Sequence, residues 1–234
     1  MCTVSFVRSQ NKIILTSNRD EEVVRPSLEP KCYAVGNKNV YFPKDPRAGG
    51  TWFAVAENAN AIVLLNGASE RHEWKPPYRK SRGLIVLDLV SADSPIAEWD
   101  GIDLDHIEPF TIVLYEKEKL YQLRWNGTEK ESKPLDPAKN YIWSSTTLYP
   151  KNIRDNRAQW FEQFLDTRPD VNEAEMFNFH RYTEEGNNES GLVIDRSFLK
   201  TLSITQTVIE DNKVSFLHHD LLGQQEFAHS FLIL

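Results

Sequence analysis

Cysteine is scarce. The 234-residue chain carries two, Cys2 and Cys32, too few for a disulfide framework and in no CxxC pair that would suit zinc. The six histidines include adjacent His218 and His219, but no HExxH motif and no i,i+4 pair, so no metal site is expected. Basic residues are outnumbered: 27 Lys and Arg face 34 Asp and Glu, a formal net charge of −7. That sign argues against binding nucleic acid or an anionic membrane surface. Long apolar runs are missing too. Ile62 to Leu65 falls far short of the about 20 residues of a membrane span, so no membrane insertion is expected. The opening MCTVSFVRSQNKIILTSNRDEE has no basic stretch followed by an apolar one, as a secretory signal would. With so few cysteines, the compartment reads as reducing cytosol. There is no repeat, no low-complexity stretch and no Gly/Ser linker. The polar, Pro-containing segment Glu70 to Arg82 reads as a long loop, too short to separate domains, so one domain over residues 1–234 is expected. The oligomeric state stays open.

What is present suits a folded domain. Hydrophobic residues make up 40% and charged residues 26%, too apolar for a disordered chain. Strand signals dominate the first third. Cys2 to Arg8 and Lys12 to Thr16 predict a hairpin across Ser9-Gln10-Asn11. Trp52 to Glu57 with Asn60 to Asn66, and Thr111 to Glu116 with Lys119 to Trp125, predict two more. The run AIVLLN is apolar on both faces, as a strand covered on both sides would be. Helical spacing marks Ser81 to Ser91 and Asn152 to Leu165. Asn172 with Glu175 reads as a capping box that starts a helix bearing Met176, Phe177 and Phe179. Strands return at Leu202 to Glu210, Lys213 to His218 and Phe227 to Leu232. The fold class is therefore α+β, with antiparallel sheets and grouped helices outside.

Cys2 is the residue with most chemistry in it. Initiator Met is usually removed before a small residue, which would leave thiol and α-amine on one residue. Their reference pKa values, about 8.5 and about 7.7–8.0, let the amine take the thiol proton near neutral pH. The plainer alternative is a small apolar residue at a strand start. Ser17-Asn18-Arg19-Asp20-Glu21 ends the next strand, and hairpin register would set residues near 17–20 beside Cys2. There an Arg favours thiolate, and an Asp can accept from the terminal ammonium. The alternative is a charged loop after a hairpin. Gly49-Gly50-Thr51-Trp52, after Asp45, suits a tight entry or close backbone approach. Asn66-Gly67, at the end of AIVLLN, reads either as an oxyanion donor or as a type I′ turn.

Together, MCTV at the terminus, SNRDE after it, Asp45 with GGTW, and LLNG after AIV resemble the NRDE family, also called the transport and Golgi organization two-like family. The resemblance continues through Arg79-Lys80-Ser81-Arg82-Gly83 and SITQTV (Ser203 to Val208), so it covers essentially the whole chain. It implies an N-terminal nucleophile hydrolase-like fold, a four-layer αββα sandwich. It also implies distant similarity to choloylglycine hydrolases and penicillin V acylases, which cleave amides with an N-terminal Cys. On that similarity Cys2, Arg19, Asp20 and Asn66 form the catalytic set, with Glu21 replacing Asp20 under a one-residue shift. The relatives' later Asn has no counterpart in Trp143-Ser144-Ser145-Thr146, where a Ser or a backbone group would replace it or the hole is incomplete. Their downstream Arg matches Arg154, Arg157 or Arg181 without ranking.

The family itself has no settled activity. Its animal members are associated with lipid and acyl-CoA metabolism and with haem trafficking. His180-Arg181 and His218-His219 come without Cys-Pro or CxxCH signatures, so no haem and no other cofactor is expected. Two readings follow. One is a hydrolase of a small-molecule linear amide or acyl (thio)ester, acting through Cys2 once Met1 is removed. The other is a non-catalytic binding or carrier protein on the same scaffold, for lipid, acyl-CoA or haem. In the first, Trp52, Trp74 and Tyr78 would line an acyl pocket; otherwise they are ordinary packing or loop.

Overall fold

The structure is a computed structural model and describes residues 3–233. Cys2, the expected nucleophile, lies outside the described residues. In chain order the elements are β1 (Thr3–Ser9), β2 (Lys12–Glu22), β3 (Lys31–Val35), β4 (Lys38–Phe42), β5 (Phe53–Ala56) and β6 (Ala61–Asn66). Two helices follow, α1 (Arg82–Ser91) and α2 (Pro95–Gly101), then β7 (Phe110–Glu116), β8 (Lys119–Trp125), β9 (Lys130–Leu135) and β10 (Tyr141–Ser144). The chain ends with α3 (Lys151–Asp166), α4 (Glu173–Tyr182), β11 (Leu199–Glu210), β12 (Lys213–Asp220) and β13 (Gln225–Leu232). No helix among the described residues is long and apolar enough to cross a membrane.

The chain divides into two compact units. The first takes residues up to Pro26 and from Ala138 to Leu232; the second runs from Ser27 to Pro137.

The first unit is an antiparallel six-stranded sheet, in the order β10-β1-β2-β11-β12-β13, with α3 and α4 on one face. β2 sits centrally, and its residues 13–20 are all buried. Val7 and Ile14 from the sheet pack with Phe161 of α3 and with Val171, Met176, Phe179 and Leu192. Each large apolar side chain so buried contributes about 2 kcal/mol. The expected capping box forms: Glu175 N donates to Asn172 Oδ1 (2.9 Å), and Asn172 N donates to Glu175 Oε2 (3.0 Å). Val171 before the cap and Met176 after the first turn share the same apolar cluster, a hydrophobic staple that fixes how α4 enters.

The second unit is an antiparallel seven-stranded sheet in the order β3-β4-β5-β6-β7-β8-β9. β5, β6 and β7 are buried almost throughout, as their apolar sequences require, and α1 packs on β5 and β6 while α2 packs on β7. Ser81 caps α1 by accepting from Gly83 N.

Two antiparallel sheets, each with a pair of helices, make the protein α+β. The three hairpins expected from the sequence are present, and so are helices at 82–91, 151–166 and 173–182. β2 continues to Glu22 through the whole polar Asn-Arg-Asp-Glu stretch, and β3, β4, α2, β9 and β10 were not evident from periodicity.

Candidate functional site at the start of the first strand

β1 and β2 pair in a register that sets Thr3 opposite Asn18 and Val4 opposite Ser17. On the other side of β2, β11 sets Thr201 opposite Asp20 and Ser203 opposite Arg19, with a bulge between them. Alternation along β2 then divides the motif between two faces. Asn18 and Asp20 lie on the face that carries α3 and α4. Ser17 and Arg19 lie on the opposite face.

On the helix face Asn18, His180, Asp20 and Arg157 each have hydrogen-bond partners, as burial demands. Asn18 donates to the carbonyls of His180 (3.1 Å) and Leu192 (2.7 Å), while its Oδ1 meets His180 Nδ1. His180 Nε2 pairs with Ser5 Oγ at 2.7 Å, so both ring nitrogens are engaged. Burial, reinforced by the nearby Arg157 charge, lowers the His180 pKa to about 3 and keeps the ring neutral. Asp20 accepts from Tyr149 OH (2.7 Å) through Oδ2 and from Thr201 Oγ1 (2.5 Å) through Oδ1. Tyr149 lies beneath the Arg157 guanidinium, 3.7 Å from carbon to ring centre. Arg157, fully buried, donates to Thr3 Oγ1 at 2.5 Å and to the carbonyls of Ser190 and Gly191.

On the opposite face Arg19 is 2% exposed, and its Nη1 donates to Arg25 O at 2.8 Å. Glu21 is within 4.0 Å of Arg19 and 3.3 Å of Arg25. Two strands away His218 shares a 2.8 Å hydrogen bond with Thr205 Oγ1. Burial, and then the charges of Arg19 and His219, lower its pKa to about 3. The first unit thus presents a buried cation on one face of β2 and a hydrogen-bonded carboxylate on the other.

Asn66 belongs to the second unit. It is the last residue of β6, half-buried and paired with Phe110. Gly67 has φ +83° and donates to Pro109 O, but the chain then enters the 67–81 loop rather than a hairpin. The GGTW and RKSRG segments meet here. Thr51 N donates to Gly83 O (3.1 Å), and a Cβ on Gly50 would stand 2.3 Å from the Gly83 carbonyl carbon. Asp45 Oδ1 accepts from Arg47 N and Ala48 N, shaping the turn that leads to Gly50. Arg79 and Arg82 bind the 103–109 segment. Trp52 is buried, Trp74 is 69% exposed, and Tyr78 OH accepts from Lys75 N.

Of the three candidate arginines, Arg157 reaches the start of β1, whereas Arg154 and Arg181 are only half-buried. Ser144, in the segment without the expected Asn, pairs with Thr3 in β10 and has its Oγ 3.5 Å from Thr3 Oγ1. Tyr149, Thr201 and Thr3 were not singled out by the sequence, since their roles depend on partners more than 125 positions away. A groove of about 660 Å³ lies elsewhere in the first unit, beside Gln206, Val208, Leu217, Ala228 and His229. None of the candidate residues lines it. Among the described residues no group of three His, Cys, Asp or Glu could hold a metal ion.

Solved structures share this architecture. The chain resembles a Caenorhabditis elegans ortholog of N-acylethanolamine-hydrolyzing acid amidase, with a TM-score of 0.63 and 10% identity over 88% of this chain and 92% of that one. It also resembles two variants of conjugated bile acid hydrolase from Clostridium perfringens. Both have a TM-score of 0.55, with identities of 9% and 8% over 98% and 97% of this chain and 92% of theirs. At such low identity these likenesses establish the fold, that of the N-terminal nucleophile hydrolases, and nothing finer. No curated protein matches the chain. Residues 1–214 match the family described as Transport and Golgi organisation 2, and on that span the chain belongs to this family.

Proposed function

We propose that the protein hydrolyses a linear amide or acyl (thio)ester of a small molecule, with Cys2 as nucleophile once Met1 has been removed. The observation that carries this reading is the register of the first strand pair. Thr3, next in sequence to Cys2, stands opposite Asn18, which is followed by buried Arg19 and Asp20. The likeness to an acid amidase and to a conjugated bile acid hydrolase, so named, supports the same class of reaction.

In this mechanism the α-amine takes the thiol proton, and the Arg19 guanidinium favours the thiolate. Sulfur attacks the carbonyl carbon. Backbone N–H groups donate to the oxyanion. The C–N bond then breaks, and the α-ammonium returns its proton to the departing amine. Water hydrolyses the thioester, releasing the acid and restoring the thiol. Asp20 orients the terminal ammonium.

The test uses tag-free protein. Intact mass should show Met1 absent, and incubation with a panel of amides and thioesters should give an acyl adduct on Cys2 that turns over. Cys2→Ala should abolish the adduct. Retention of Met1 on most molecules removes the base and overturns the mechanism. Stoichiometric ligand retention without turnover would favour a carrier instead.

A further inference from the structure

We propose that Arg157 is a positioning residue, holding the start of β1 so that Cys2 meets Arg19 and Asp20 in a fixed geometry. The proposal rests on the reading of Cys2 as nucleophile.

Arg157 occupies an apolar stripe of α3, four residues from both Ile153 and Phe161, and is fully buried. A fold that needed only packing would place a Leu there. A buried guanidinium is tolerated only when its N–H groups are bonded. Here the planar fork divides its donors between two places. One goes to Thr3 Oγ1, on the first described residue of β1. Others go to Ser190 O and Gly191 O, in a loop so tight that a Cβ on Gly191 would stand 2.7 Å from Glu184 O. The guanidinium face rests on Tyr149, whose hydroxyl fixes one oxygen of Asp20. One side chain therefore references the strand that begins next to Cys2 and the carboxylate on β2 to the same point. Lysine would supply the charge but neither the fork nor the stacking plane.

Thr3 offers the cleanest perturbation, because Val matches its shape and Ser keeps its hydroxyl. Tag-free Thr3→Val, Thr3→Ser and Arg157→Lys would be compared with wild type in two ways. The first is backbone hydrogen exchange of residues 3–6. The second is the pH profile of iodoacetamide labelling at Cys2, with exposed Cys32 as internal reference. Thr3→Val and Arg157→Lys should speed exchange at the start of β1 about tenfold and raise the Cys2 labelling midpoint by about one pH unit. Thr3→Ser should restore both. Unchanged exchange in Thr3→Val and Arg157→Lys would overturn the proposal. So would faster exchange with an unchanged labelling profile, which leaves Arg157 a structural tie only. If Arg157→Lys does not fold, the Thr3→Val and Thr3→Ser pair decides alone. Should wild-type Cys2 label no faster than Cys32 while exchange still responds, the nucleophile reading fails and the hold on β1 stands.

Discussion

Two neutral, buried histidines should make stability depend steeply on pH. His180 sits among Asn18, Ser5 and the Arg157 charge; His218 sits among Thr205, Arg19 and His219. Each has a pKa of about 3 when folded, against 6.5 for an unperturbed ring. Between those values the unfolded chain binds more protons than the folded one. The stabilisation is complete above about pH 6.5 and is lost as pH falls through the window toward about 3. At pH 5.0 the unfolded ring is 1.5 units below its midpoint, so each histidine costs about 2 kcal/mol and the pair about 4 kcal/mol relative to pH 7.5. A domain with a total of about 5–15 kcal/mol would feel that loss. Urea unfolding followed by tryptophan fluorescence at pH 7.5 and 5.0 measures it. Carboxylates contribute to the wild-type change, so the informative quantity is the difference from variants. His180→Gln and His218→Gln should each reduce the drop by about 2 kcal/mol. Variants that lose as much stability as wild type, or a His180 or His218 resonance in the folded protein that titrates near 6.5, would refute the reasoning.

Asn18→Ala should destabilise the first unit by about 3 kcal/mol or more, because two carbonyls and a ring nitrogen lose their partner; a loss below 1 kcal/mol on urea unfolding would contradict the assignment. Arg19→Ala should narrow the labelling advantage of Cys2 over Cys32 at pH 6.5 by about tenfold, read by peptide mapping, and equal rates in the wild type would remove the premise. Gly50→Ala should cost about 3 kcal/mol or prevent folding, since its Cβ would stand 2.3 Å from backbone, whereas Gly101→Ala meets nothing within 4 Å and should be neutral or stabilising in a thermal melt.

The hairpins and the helix caps were legible because they depend on local chemistry: period-two alternation, turn residues, and an Asn three places before a Glu. The length of β2 was not. Ser17 to Glu22 has the composition of a loop, and it remains a strand because Asn18, Arg19 and Asp20 each find partners on other elements. β3 and β4 escaped notice for another reason: they are short, and only Val40 and Phe42 of the pair are buried. The candidate site was an expectation from residue types near the terminus, with Arg19 and Asp20 adjacent in sequence but assigned to opposite faces only by the pleat. Arg157 did leave a signal, a charged residue in the apolar stripe shared by Ile153 and Phe161, although three arginines had equal standing without the fold.

The contact between Gly50 and Gly83 has a consequence for how this sequence can vary. A Cβ on Gly50 would run into the backbone of Gly83, and a Cβ on Gly83 into the backbone of Thr51, the residue after Gly50. A substitution that pushed the two segments apart would relieve the crowding at both positions together. The second replacement should then cost much less than it would alone, a strongly non-additive pair. The two glycines, 33 positions apart, would behave in a mutational screen as one locus: single changes depleted, and the double change no worse than either.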